Sequence, residues 1–231
     1  MAPARAPRTD ARVWLFDLDD TLHDAGTAAM PQLVEAMTDY VAEHVGVPPA
    51  EATALRRTYW AKYGATLLGL VRHHGVQPAH FLHHTHLLPG LEGRLHAHVA
   101  DLHALARLPG RKYILTNAPL AYARRVLSSL GMQRLFDGLL SIEDMHMFGQ
   151  LRPKPDARML RRTAARLKVP PHRCTLVEDT LVHQKAACRV GMHTAWMQRW
   201  LGPRAGRHRP LRPAYVGRRI RGVHELLKPG R

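Results

Sequence analysis

The stretch VWLFDLDDT, Val13 to Thr21, constrains this chain more than any other. Val13, Trp14, Leu15 and Phe16 form an apolar run of the length and type of a buried strand. Asp17, Asp19 and Asp20 then arrive within four residues, followed by Thr21. Carboxylates gathered at the end of a buried strand repel one another, and each loses hydration there. Folding alone gives no reason to collect them, so a cation or a reaction is expected at that strand end.

The rest of the chain supplies the frame. From about residue 91, helical stretches alternate with short apolar runs. RLHAHVADLHALARLPG reads as a helix closed by Pro109 and Gly110, KYILTN as a strand, and LAYARRVLSSLGM as a helix. FDGLLSIED follows as a strand with an acidic end, KPDARMLRRTAARLKV as a helix, CTLVED as a strand, TLVHQKAACRVG as a helix and HTAWMQ as a last strand. Alternation at this spacing predicts βα units and a parallel sheet. Residues 27 to 90 carry helical periodicity throughout, with segments ending at Gly46 and Gly64. The fold class that follows is α/β, a Rossmann-like doubly wound parallel sheet interrupted after its first strand by an all-helical insert. The core takes residues 11–26 and 91–201, the helical cap 27–90, and a basic C-terminal tail 202–231, partly packed through Tyr215, Val216 and Ile220.

A formal net charge of +16 raises nucleic acid as a partner. Nine Arg or Lys residues face a single acid, Glu225, from Gly202 onward, so any such binding belongs to the tail. No run approaches the roughly 20 apolar residues of a membrane span, and no membrane role is expected. The N-terminal arginines precede no apolar run, so no secretion signal is read. Cys174 and Cys188 are too few for a disulfide framework and wrongly spaced for zinc. A cytoplasmic setting is expected.

Three predicted strands end in polar residues: Asp17 to Thr21, Thr116-Asn117 and Glu178-Asp179. In an open parallel sheet, ligands bind beyond the C-terminal strand ends, so these groups should converge. Lys154, one of only six lysines, is pinned between Pro153 and Pro155 just before a helix. In order and spacing, these four elements resemble the motifs of the haloacid dehalogenase superfamily over Val13 to Gln198. The insert is similar to the cap of its first subclass. That resemblance implies a Mg²⁺-dependent phosphoryl-transfer enzyme. Asp17 would be the nucleophile and Asp19 the acid/base, its backbone carbonyl also on the metal. Thr116, with Asn117 beside it, and Lys154 would bind the phosphoryl group, and Asp179 with Glu178 would complete the metal site. Dehalogenases of the superfamily need no metal and lack an acid at the position of Asp19. The ATPase branch requires transmembrane helices, while a phosphomutase stays open.

Residues 55 to 88 resemble a narrower group, the pyrimidine 5'-nucleotidase-like phosphatases, through Tyr59, Tyr63, Gly64, Thr66, Leu67, Gly69 and Leu70. The implied partner is a small phosphate ester, a pyrimidine nucleoside 5'-monophosphate, with the cap contacting base and sugar. Relatives with very similar caps act on other phosphate monoesters, and a damaged or modified nucleotide is a further option. Tyr59 and Tyr63 share one helical face and read equally as core or as base-stacking residues. Two positions depart from the narrower group: Glu178 replaces an aspartate, and His183 an asparagine. His80, His83, His84 and His86 have spacings that admit a transition metal, but histidines are abundant here and a solvated cap face is expected. Met145 to Phe148 reads as packing beside Lys154.

Overall fold

The computed structural model describes residues 12–201 and 213–228. Along the chain, β1 (Val13–Phe16) leads to five helices: α1 (Ala25–Ala28), α2 (Met30–Val45), α3 (Pro49–Tyr63), α4 (Thr66–His74) and α5 (Pro78–Thr85). Then come α6 (Val99–Arg107), β2 (Arg111–Leu115), α7 (Leu120–Ser129), β3 (Gly138–Leu140), the hairpin β4 (His146–Met147) and β5 (Gln150–Leu151), and α8 (Ala157–Arg166). The chain continues through β6 (Cys174–Glu178), α9 (Leu181–Arg189), β7 (His193–Met197) and β8 (Arg218–Ile220).

Six strands form one parallel sheet in the order β3-β2-β1-β6-β7-β8. The strand order reverses at β1, and the ends of such strands form the ligand crevice of doubly wound sheets. Side chains alternate across a strand, and β1 uses both faces. Trp14 and Phe16 enter one hydrophobic layer with Leu105, Ile114 and Val126, whereas Val13 and Leu15 enter the other with Leu160 and Leu176. Register then sets the site. Phe16 lies opposite Ile114 on one side and Val177 on the other, so β1, β2 and β6 end nearly level.

Helices α2 to α5 build their own core from Tyr40, Val41, Ala52, Tyr59, Leu70 and Phe81, which rests on Ile142. The glycines read as stops end α2 and α3: Gly46 and Gly64 take left-handed φ of 74° and 80°.

Three features differ from the sequence pattern. The FDGLLSIED strand shrinks to three residues, because Ser141 and Asp144 close a capping box over the 3₁₀ turn Ile142–Asp144. The segment after it forms the β4–β5 hairpin, with Met145 buried but Phe148 96% exposed at the tip. The sheet also has a strand beyond HTAWMQ. Residues 213–228 of the basic tail add β8 to the edge of β7 and bury Val216 and Ile220, with Val223 and Leu226 beside them. Asp101 on α6 anchors this segment, pairing with Arg199 and accepting from the Val223 amide at 2.8 Å. Residues 202–212 of the expected tail lie outside the described residues. Among the described residues, no helix is long and apolar enough to cross a membrane.

Candidate active site

The level strand ends bring Asp17, Thr116, Glu178 and Asp179 to one edge. Lys154 enters from the loop before α8. Its Nζ donates to Asp17 Oδ1 at 2.6 Å and to Glu178 Oε2 at 2.7 Å, and all three side chains are buried. The loop is fixed by Asn117, whose carboxamide donates to the Lys154 carbonyl at 3.0 Å and accepts from its amide at 2.9 Å. Asn117 therefore spends its side chain on the lysine's backbone, a role that the sequence motif did not reveal. Asp156 caps α8 immediately beyond, accepting from the Arg158 and Met159 amides. Thr116 is buried, and its hydroxyl oxygen accepts from the Ala118 amide at 3.0 Å. Thr21 donates to Asp17 Oδ2 at 3.2 Å.

Glu178 ends β6, and Asp179 follows it. Gln184 on α9 holds the Glu178 carbonyl at 2.7 Å, and Trp196 donates to the Asp179 carbonyl at 2.6 Å. Carboxylate oxygens of Asp17, Glu178 and Asp179 all lie within 4.8 Å of one another. His183 Nδ1 stands 3.1 Å from Glu178 Oε2.

This pocket is short of positive charge. Three clustered carboxylates face one ammonium. Burial, then the charge of Glu178, push the Asp17 carboxyl up to about 8, and the pull of Lys154 offsets only part of this. Burial and the same neighbour push Asp179 up to about 10. Glu178 goes the other way: burial would raise it, but the charges of Lys154 and His183 hold it well below its ordinary range. Burial likewise works against the Lys154 ammonium, and Asp17 and Glu178 outweigh it and hold the proton on. An all-oxygen donor set with surplus negative charge fits a hard divalent cation.

Asp19 sits apart from that cluster in a polar cage of its own. Its Oδ1 accepts from the Tyr122 hydroxyl at 2.8 Å and contacts His23 Nε2 at 2.9 Å. Burial would raise this carboxyl, yet His23 and Tyr122 together outweigh it and lower it below the ordinary value. Sequence reasoning missed both partners. His23 lies within the first motif's own stretch, four residues beyond Asp19, and could have been suspected. Tyr122 lies 103 residues away and carried no signal.

The cap tyrosines separate. Tyr59 is a core residue: its ring packs against Gly69 and its hydroxyl meets His74 Nε2 at 2.7 Å. Tyr63 is half-buried, with its hydroxyl on His73 at 2.6 Å. A β-carbon on the adjoining Gly64 would lie 3.5 Å from Pro155 Cδ, so this turn of the cap borders the lysine loop. Among the described residues, Asp17, Glu178 and Asp179 form the only group placed to hold a metal ion, and His86 turns inward against the Tyr122 ring.

Residues 11–191 match the haloacid dehalogenase-like hydrolase family. Solved structures agree in fold. A phosphatase of this superfamily from Thermococcus onnurineus aligns at 21% identity with a TM-score of 0.60, over 93% of this chain and 95% of that one. A superfamily hydrolase from Bacillus subtilis, solved bound to magnesium, aligns at 18% identity and TM-score 0.58, over 94% and 96%. An L-2-haloacid dehalogenase from Xanthobacter autotrophicus, with chloropropionic acid covalently bound, aligns at 16% identity and TM-score 0.56, over 94% and 96%.

Proposed function

Because the chain belongs to the haloacid dehalogenase-like hydrolases, we propose that it is a Mg²⁺-dependent phosphatase. Its reaction runs through an aspartyl-phosphate on Asp17, and its substrate is a pyrimidine nucleoside 5'-monophosphate. The observation that carries the chemistry is the cluster of Asp17, Glu178 and Asp179 against the single Lys154. A metal-free dehalogenase has no use for that surplus of negative charge, whereas a phosphatase does.

Asp17, Glu178, Asp179 and the Asp19 backbone carbonyl would hold the ion. Bound there, Mg²⁺ supplies the charge that keeps Asp17 ionised and offsets its repulsion from a phosphate dianion. An Asp17 oxygen then bonds to phosphorus as the ester P–O bond breaks, and Asp19, an anion in the free enzyme, takes up a proton beside the phosphate dianion and gives it to the departing alcohol. In the second half, water bonds to phosphorus, the Asp17–phosphorus link breaks, and a water proton returns to Asp19. Lys154 and Thr116 bind phosphoryl oxygens and stabilise charge in both transition states. Asn117 contributes by holding the lysine loop. The cap pattern through Tyr63, Gly64 and Gly69 supports the nucleotide, as does the nearness of the Gly64 turn to Pro155 in the lysine loop.

The test is phosphate release from UMP, CMP, dUMP, AMP, GMP and several sugar phosphates, with Mg²⁺ and with EDTA. Release from UMP and CMP that EDTA abolishes and Asp17→Asn lacks is expected. Release confined to sugar phosphates sinks the nucleotide and keeps the mechanism. A mutase would return the phosphate to its substrate and release none.

A further inference from the structure

Both polar groups that hold Asp19 bond the same oxygen. Tyr122 is 2% exposed and His23 1%, and each reaches Oδ1, at 2.8 and 2.9 Å. His23 Nδ1 has no hydrogen-bond partner, so the buried ring commits its polar contact to Asp19. Tyr122 is in turn fixed from behind: the His86 ring stands edge-on against it, centroids 5.6 Å apart. A phenol hydroxyl can give one proton, and here it is spent on this carboxylate. A carboxylate with one oxygen doubly bonded to fixed groups has lost its freedom to rotate, and only its other oxygen stays available.

We propose that Tyr122 is a positioning residue: with His23 it pins Asp19 Oδ1, so that Oδ2 alone carries the proton of the reaction. This rests on the phosphatase reading. In the first half-reaction the proton that Oδ2 takes up beside the bound phosphate dianion leaves for the ester oxygen as the P–O bond breaks. In the second, a water proton returns to Oδ2 as the Asp17–phosphorus bond breaks. Without the hydroxyl, Asp19 samples orientations that point the proton away. Misplacement costs rate without touching substrate affinity.

Tyr122→Phe keeps the ring, and with it the packing against His86. The variant is compared with wild type in kcat/KM for an alkyl phosphate, whose leaving group must be protonated, and for p-nitrophenyl phosphate, whose leaving group departs as an anion. The loss expected is about tenfold for the alkyl ester and under threefold for the nitrophenyl ester, with KM within twofold. Thermal denaturation should show an unchanged fold. In an Asp19→Asn background the same substitution should have no further effect. Equal losses on both esters, or none, overturn the positioning role alone. A wild-type protein that hydrolyses none of the nucleotide, sugar and nitrophenyl phosphates overturns the phosphatase reading and this role with it.

Discussion

Asp17 and Asp179 carry raised carboxyls for one reason, burial beside the charge of Glu178, and the consequence is measurable. A group with a raised folded pKa binds a proton in the folded state that the unfolded chain has already released. Its contribution to stability is complete below its ordinary 3.8 and is lost as pH rises, through about 8 for Asp17 and about 10 for Asp179. Glu178 is depressed and acts oppositely, contributing above its ordinary 4.5 and failing as pH falls below it. Protein stripped of metal by EDTA is therefore expected to melt at a lower temperature at pH 8 than at pH 5.5. Saturating Mg²⁺ should raise the melting temperature more at pH 8, because at pH 5.5 it must first displace protons. Equal Mg²⁺ shifts at the two pH values would show that these carboxyls do not bind the ion. The motif made these residues legible at a glance: acids at strand ends have no structural excuse. Tyr122 was not legible, because a tyrosine on a helix face reads as core until the fold sets it over Asp19.

At the scale of elements, the cap shows how far periodicity reaches. Its helices and their glycine stops are visible in the sequence, since apolar spacing and a left-handed terminus are local properties. The direction of a side chain is not local. Tyr59 and Tyr63 sit at i and i+4 on α3, yet α4 crosses over the first and leaves the second half-buried. The crossing depends on Gly69. A β-carbon there would lie 2.1 Å from Tyr59 Cγ, which no packed pair tolerates. Gly69→Ala is thus expected to force α3 and α4 apart, at a cost of about 1–3 kcal/mol for an overpacked contact. Thermal denaturation should register the loss, and limited proteolysis should cut first within 27–90. An unaffected melting curve would mean that the cap repacks without cost. Because the Gly64 turn between those helices borders Pro155, the variant should also raise KM before it lowers kcat.

Across the whole molecule, the parallel sheet followed from alternation, but the sheet's last strand did not. Arg218 and Arg219 make up two of the three residues of β8, so no apolar run announces it. Its identity comes from outside: β7 offers an unpaired edge, and Asp101, far back on α6, holds Arg199 and the Val223 amide together. Deleting residues 202–231 would therefore remove sheet and core along with positive charge, and any binding lost on that deletion says nothing about a basic tail. Asp101 tests the anchoring itself. The carboxylate is fully buried, and losing it leaves the Arg199 guanidinium, only 15% exposed, without its counter-charge. Asp101→Ala is expected to cost about 3–5 kcal/mol, the range for breaking one side of a buried pair. The loss should appear in denaturant unfolding as a lower midpoint with an unchanged slope. A midpoint within error of wild type would mean that β8 is held by its side-chain packing alone, through Val216, Ile220, Val223 and Leu226. Truncation after Arg212 would then still unfold the domain, whereas Asp101→Ala would not.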